Sequence, residues 1–357
     1  MPTAKRRAPI VGRYTSEELA LATRNGGMPL EALRYDVTPP GLHYLLIHFD
    51  IPHAQAAHWR LGIGGLVERP MSLSLADLRG MQAKTVRITM ECAGNGRAQI
   101  SPRYPSMPWI EEGVSTAEWT GVPLTALLSA AGLKPSATDI AFHGADRGID
   151  RGVEHDFARS LCPEEALRED VLLAYEMNGA PLPPQHGFPL RLVVPRWYGM
   201  ASVKWLERIE ALDRPFDGLQ QAVSYHFKTQ AGAKGTPCTR MRVNSLMAPP
   251  GIPDFYTRAR LLDPGPVAIH GRAWSGEAPI ARVEFSADGV WQEGSLDVSS
   301  HQYAWQEWTA EWVARRGEHL LACRATDAAG NTQPLEPVWD ATGFGNNAVQ
   351  RVPVSVQ

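Results

Sequence analysis

Residues 86–97 read VRITMECAGNGR: a strand-like run that stops at a cysteine and opens into two glycines, an asparagine and an arginine. The strand ends near Cys92, and the glycines and asparagine after it tolerate positive φ, so the chain bends sharply there. Such a bend exposes the sulfur at the rim of a sheet and turns backbone N–H groups into the same space. A thiolate is favoured in an electropositive, partly open setting, and Arg97 adds charge to it. The same residues also fit a cysteine buried at a strand end with an ordinary loop behind it.

Outward from this bend, strand-like pieces recur on both sides: HYLLIHFDI (43–51), HWRLGIGGLV, KTVRITMEC, TDIAFHGA, LRLVVP and VKWLERIEAL. Helix candidates lie between them, SLADLRGM, LTALLSAAGL with Pro135 beyond its end, and PEEALRED. Strands and short helices mixed without regular alternation predict an α+β domain rather than a doubly wound sheet. Before it, residues 1–40 read as an N-terminal arm broken by NGGMP and TPPG, with one short helix at SEELALAT, that wraps over a core built later. The pattern changes near 237–265, at TPCTRMRVNSLMAPPGIPDF and DPGP. Beyond that crossing, VAIHGRAWSG, IARVEFSADGVW, AWQEWTAEWV, HLLACRATDAAGN and VQRVPVSV alternate apolar and polar residues between turns. That predicts an antiparallel, immunoglobulin-like sandwich, though without the Cys…Trp…Cys spacing of antibody domains. Trp274, Trp305, Trp308 and Trp312 crowd into it and read either as sandwich core or as part of an aromatic homodimer face.

The totals set bounds. With 357 residues the chain holds two domains of ordinary size. A net charge of −3, from 35 basic and 38 acidic residues, gives no global field for nucleic acid or an anionic membrane surface. No apolar run approaches a bilayer span, and MPTAKRRAPIVGRYT has no apolar segment of a secretory signal. The expectation is a cytoplasmic protein, with a periplasmic one left open. Cys92, Cys162, Cys238 and Cys323 are too scattered for a CxxC pair or a zinc site.

A second stretch, PLPPQHGFPLRLVVPRWYGMASVKWL (181–206), places His186, Arg191, Arg196 and Lys204 at the ends of an apolar strand whose approaches are fixed by prolines. That arrangement builds a cavity wall for an anion or a polar ligand, although each charge alone also reads as solvated surface.

ECAGNGR (91–97), STAEWTGVPLTALL (115–128), HGFPLRLVVP (186–195) and VKWL (203–206) occur in order. HGRAWSG, RVEFSADGVW, RATDAAGNTQP and WDATGFGNNAVQRVPVSV follow in the carboxy-terminal part. Together, over most of the chain, they resemble the sulfite oxidase family of molybdenum enzymes, in its haem-free bacterial form. The resemblance implies a molybdopterin-binding α+β domain at 41–240, an immunoglobulin-like dimerisation domain at 241–357, and a homodimer. It implies molybdenum-molybdopterin, a molybdenum pyranopterin, as cofactor, with Cys92 as the metal ligand, a soft donor for that metal. Gly94 and Asn95 would shape the turn behind the ligand, and His186, Arg191, Ser202 and Lys204 would line the cofactor, whose phosphate suits cations and N–H donors. For the substrate, a small oxyanion, the resemblance implies Arg97 and Tyr225, with His48 where the family carries an arginine. A guanidinium forks onto an oxyanion, and a phenol can hold a hydrogen bond through oxygen transfer.

Three positions depart from the family pattern. LLIHFDIP stands where Arg-Asn-His is usual, Gly96 where many members have a second arginine, and Arg196 where glycine is usual. The expected reaction is oxidation of sulfite to sulfate, with another sulfur compound, a sulfoxide or a different oxyanion as the alternative. Without a b5-like haem domain or a CxxCH site, electrons would pass to an external acceptor: a small redox protein, a quinone-like compound or oxygen. Two further classes remain open on residue types alone. One is a cysteine hydrolase with Cys92 as nucleophile and His186 as base; the other is a binding protein built on the sandwich.

Overall fold

The structure, a computed structural model, describes residues 14–297 and 301–357. Thr15 caps the helix Ser16–Arg24 in a reciprocal capping box with Glu18. From there the arm lies on the larger core: Met28, Leu30, Ala32 and Leu33 are buried in it. Glu18 is fully buried and holds Arg103 through Nε at 2.8 Å and Nη2 at 3.0 Å, which fastens the arm to the loop after Cys92.

Two sheets form the larger domain. The first runs Met71–Leu73, Leu61–Gly65, Leu206–Leu212, Asp139–Asp150, Val153–Leu161, with Leu61–Gly65 and Leu206–Leu212 parallel and the other neighbours antiparallel. The second pairs Lys84–Glu91 with Val114–Pro123, then Leu172–Met177, whose far edge takes Ala180–Pro181 and Arg191–Val193. Trp119, Phe142, Leu124, Leu127 and Leu128 are wholly buried in this domain, each side chain contributing about 1.5–3 kcal/mol of hydrophobic stabilisation. The helix Leu124–Ala131 closes at Gly132, in the left-handed region at φ +70°, three residues before the proline expected to end it. The stretch 43–51 is not the strand its apolar residues suggested. It makes only an isolated bridge from Leu45 to Gly26, because its polar side chains are turned into a cavity rather than along a sheet face.

The second half is a β-sandwich. One sheet runs Asn244–Met247, Gly265–Trp274, Gln306–Ala314, Ser295–Leu296; the other runs Ile252–Pro253, Arg260–Leu262, Gln350–Val356, Gly317–Asp327, Ile280–Ala287, Val290–Glu293. Val283, Phe285, Trp308, Leu321, Val352 and Val354 fill its centre. The four tryptophans divide between different surroundings. Trp308 is sandwich core, Trp312 is half-buried against it, and Trp274 and Trp305 pack into the core of the larger domain. Two of the four are thus interdomain residues, a use that neither sequence reading anticipated. Among the described residues no helix is long and apolar enough to cross a membrane.

Candidate active site

The strand Lys84–Glu91 delivers Cys92 to a tight turn held by its own backbone. Asn95 N donates to Cys92 O at 2.9 Å, Arg97 N donates to Gly94 O at 3.1 Å, and Cys92 N donates to Gly113 O at 2.8 Å. Gly96 has φ +78°, and a Cβ there would lie 2.7 Å from Asn346 Nδ2, so glycine at this position is dictated by the residue facing it. Asn95 ties the turn down: its Nδ2 donates to Glu91 Oε1 at 3.0 Å and Glu111 O at 3.2 Å, while its Oδ1 accepts from Gly113 N.

The Cys92 sulfur is not at an exposed rim. The residue is buried and lies where two cavities meet, both of which include Cys92, Leu46, His48 and Tyr225 in their walls. Burial raises its thiol pKa, against the lowering effect of Arg97 nearby.

The inner cavity, about 630 Å³ counting its mouth, collects His43, Tyr44, Asp146, His186, Arg191, Ser202 and Lys204. Arg191 donates only to uncharged partners, Nη1 to His186 O at 3.0 Å and Nη2 to Ser202 O at 3.1 Å, and lies over the Trp119 ring at 4.6 Å. Lys204 Nζ donates to Leu46 O at 2.7 Å and Gln185 O at 3.3 Å. Neither cation has a carboxylate at ion-pair distance among the described residues. Burial lowers the pKa of both and raises that of Asp146, which feels the Lys204 charge and whose Oδ1 has no hydrogen-bond partner among the described residues. His43 and His186 meet edge to face at 5.1 Å, and burial pushes them down to about 4 and about 2. An imidazole so weakly basic, beside a thiol whose own pKa is raised, is a poor base for a cysteine hydrolase. Ser202 Oγ accepts from Val194 N at 3.1 Å and so braces the wall.

The outer cavity, about 1250 Å³ with its mouth, is walled by Leu21, Leu46, Ile47, Phe49, Trp109 and Phe344, with Arg97 and Tyr225 at its depth. Arg97 is buried; its Nε donates to Thr342 O and its Nη1 to Met107 O, both at 3.1 Å, and it sits over the Phe344 ring at 5.0 Å. The Tyr225 hydroxyl is 2.7 Å from His48 Nε2, and His48, pushed down to about 3 by burial, stacks on Phe157. Tyr225 stacks on Phe344 at 5.1 Å, under Arg159 at 5.3 Å.

All ten residues expected from sequence therefore gather around these two cavities or the turn between them. Several others were missed. His43, Tyr44 and Asp146 face the inner cavity, and Arg159 lies behind Tyr225, a buried guanidinium with no carboxylate at ion-pair distance among the described residues. Asp146 reaches inward because the pairing of Asp139–Asp150 with Val153–Leu161 shifts register between His143 and Arg147, a bulge that no turn signal marks. Glu91, buried behind Cys92, accepts from Asn95, from Asn244 Nδ2 at 3.0 Å and from Trp274 Nε1 at 3.0 Å. The segment 340–346 also closes the site. Gly345 N donates to Ala93 O at 2.8 Å, and Asn346 Nδ2 to Gly96 O at 2.8 Å. That segment belongs to WDATGFGNN, quoted for its resemblance but given no site role. Arg196, outside both cavities, takes φ +73°, the left-handed backbone that explains the family's glycine there.

Two family models match the chain, the oxidoreductase molybdopterin binding domain over residues 48–220 and the Mo-co oxidoreductase dimerisation domain over 237–357. Mitochondrial sulfite oxidase of Mus musculus is 33% identical over 348 residues, covering 90% of this chain and 62% of that protein. The NADH nitrate reductase 1 of Oryza sativa subsp. japonica is 31% identical, covering 90% of this chain and 38% of that protein. Among solved structures, the sulfane dehydrogenase SoxCD of Paracoccus pantotrophus superimposes with a TM-score of 0.80 at 26% identity, covering 100% of this chain and 95% of that one. The chain belongs to the sulfite oxidase family of molybdopterin-dependent oxidoreductases, and spans about three-fifths of the length of the mammalian sulfite oxidases it matches.

The inner cavity fits the family's cofactor on its own chemistry. Buried cations that bond only uncharged partners among the described residues suit an anionic tail, and the orphaned His43 Nε2 and Asp146 Oδ1 leave polar atoms for the cofactor's hydrogen-bonding groups. No group of three His, Cys, Asp or Glu side chains gathers to hold a metal among the described residues. A metal here would therefore take its other donors from a bound group, as a dithiolene supplies them.

Proposed function

We propose that this protein is a molybdenum-cofactor oxidoreductase that transfers an oxygen atom to a small sulfur oxyanion, with oxidation of sulfite to sulfate as the simplest case. One observation carries the reading: a buried cysteine stands at the junction of a cavity lined by unpaired cations and a second cavity ending in an arginine and a tyrosine. Arg191, Lys204, His186 and Ser202 would hold the cofactor's polar groups, and the Cys92 sulfur its metal. When bound, that group supplies two-electron oxygen-atom transfer.

The chain's own residues supply the rest. Arg97 has one guanidinium nitrogen, Nη2, with no hydrogen bond among the described residues, and it offers this donor to an anion's oxygen. Tyr225, oriented by His48 and stacked on Phe344, holds its hydroxyl as a hydrogen-bond donor at the same depth, and burial raises its pKa so that the phenol stays neutral. Trp109 and Met107 narrow the approach and keep bulk water from the reacting atoms. Electrons would leave to an external acceptor, and the dimerisation domain supports a homodimer as the working form.

The test is metal content together with activity, in protein from a host able to make the cofactor. Wild type is expected to carry about one molybdenum per chain and a thiolate-to-metal absorption band, and Cys92→Ser to lose both with its secondary structure intact. A folded, molybdenum-free wild type from such a host would end the reading.

A further inference from the structure

The reading of the outer cavity as substrate mouth leaves open which sulfur anions it selects. We propose that the cavity prefers organosulfur monoanions over inorganic sulfite, with a sulfinate head against Arg97 and an apolar substituent along the mouth. The inference rests on the oxygen-transfer reading above and narrows it.

Charge is the first argument. Arg97 is the one buried cation lining this cavity among the described residues, and two of its three nitrogens already serve Thr342 O and Met107 O. The other cations of the lining, Arg24 and Arg151, are exposed: Arg24 donates to His48 O at 3.3 Å, and Arg151 faces Asp150 at 3.8 Å. His48 is engaged with Tyr225 and stacked on Phe157, so it adds no second cationic fork. One free guanidinium nitrogen matches a single negative charge with a compact head.

Shape is the second. A bare oxyanion needs a tight ring of donors and no apolar surface. Here part of the wall beyond Arg97 is apolar, Leu21, Leu46, Ile47, Phe49, Trp109 and Phe344, beside polar residues such as Tyr104, Gln220 and Thr342, and the space with its mouth exceeds what a bare oxyanion fills. The apolar part gains nothing from sulfite and stabilises an alkyl or aryl tail through apolar burial.

The reaction balances as R–SO2⁻ + H2O → R–SO3⁻ + 2 H⁺ + 2 e⁻. One sulfur–oxygen bond forms, both O–H bonds of water break, sulfur is oxidised, the protons pass to solvent, and the electrons reduce an external one-electron acceptor twice.

The test uses the full-chain holoenzyme with ferricyanide as acceptor. Sulfate and the linear alkanesulfonates from methane- to pentanesulfonate, inert product analogues, are compared as competitive inhibitors, and alkanesulfinates are compared with sulfite as substrates. Inhibition is expected to tighten about fourfold per methylene, the equivalent of about 0.8 kcal/mol, and kcat/KM for butanesulfinate is expected to exceed that for sulfite. Leu21→Asp should flatten the chain-length slope while molybdenum content stays at the wild-type level. Sulfate binding more tightly than every alkanesulfonate, with no chain-length trend in molybdenum-loaded protein, overturns the inference and leaves oxygen transfer standing. Folded protein without molybdenum sinks both together.

Discussion

Buried arginines in two regions of this molecule are treated in opposite ways. Where the arm and the sandwich meet, Arg260 and Arg272 are each 4% exposed and fully paired: Arg260 with Glu31 at 2.8 Å, Arg272 with Asp36 at 2.9 Å and Glu307 at 3.3 Å. Around Cys92, Arg191, Arg97 and Arg159 are as deeply buried, at 3%, 4% and 2%, and none has a carboxylate at ion-pair distance among the described residues. They rest on backbone carbonyls and aromatic faces, Trp119, Phe344 and Tyr225. A buried charge costs several kcal/mol unless it is compensated. The first pair is compensated by the chain itself; the second group is not, and under the proposed function Arg191 would meet an anionic cofactor and Arg97 a substrate anion. Unpaired burial marks the site more sharply than charge alone.

Substitutions in the two groups of arginines should give opposite results. The largest effect is expected at Arg97. Arg97→Met in molybdenum-loaded protein should lower kcat/KM for an anionic sulfur substrate by about 10²–10³-fold, the usual loss on removing one preorganised donor. Equal kcat/KM in the variant would remove this residue from the functional group. Arg191→Met should weaken cofactor retention by about 10–100-fold, read as molybdenum content after dialysis. The melting temperature of its cofactor-free form should hold or rise, because an uncompensated charge has gone. A cofactor-free Arg191→Met that melts well below wild type would place Arg191 with the structural arginines. Arg272→Met should do the reverse, costing about 2 kcal/mol in denaturant unfolding while molybdenum content is unchanged.

The smallest effect concerns Glu18, whose pKa the Arg103 guanidinium holds below the usual carboxylate value of 4.5. Folded protein then binds fewer protons than unfolded chain in acid. The stabilisation is present above pH 4.5 and is lost as pH falls through the lowered value. Glu18→Gln should flatten the acid limb of the melting curve, and an unchanged limb would show that this pair contributes nothing there.

Much of the site could be read from local chemistry. A cysteine ending a strand before glycines and asparagine, and a proline-braced strand flanked by His186, Arg191 and Lys204, carry their meaning in short stretches, because turn propensity and residue type are local properties. The His48–Tyr225 contact joins residues 177 apart, and Asp146 enters the inner cavity only through a bulge, so neither leaves a trace in spacing. The departures resolved physically as well. Gly96 makes room for Asn346, and Arg196 accepts a backbone conformation that glycine adopts more readily.

The two kinds of domain and the family are legible along the chain, since strand alternation, turn residues and co-linear motifs are local. That the sandwich half completes the site emerges only from folding in three dimensions. Phe344 stacks on both Arg97 and Tyr225, Gly345 and Asn346 clasp the Cys92 turn, and Trp274 and Asn244 donate to Glu91 behind it. Those contacts bridge residues some 120 to 250 positions apart. They are fixed by how two cores dock, because buried N–H, carboxyl and ring groups must find partners wherever packing puts them.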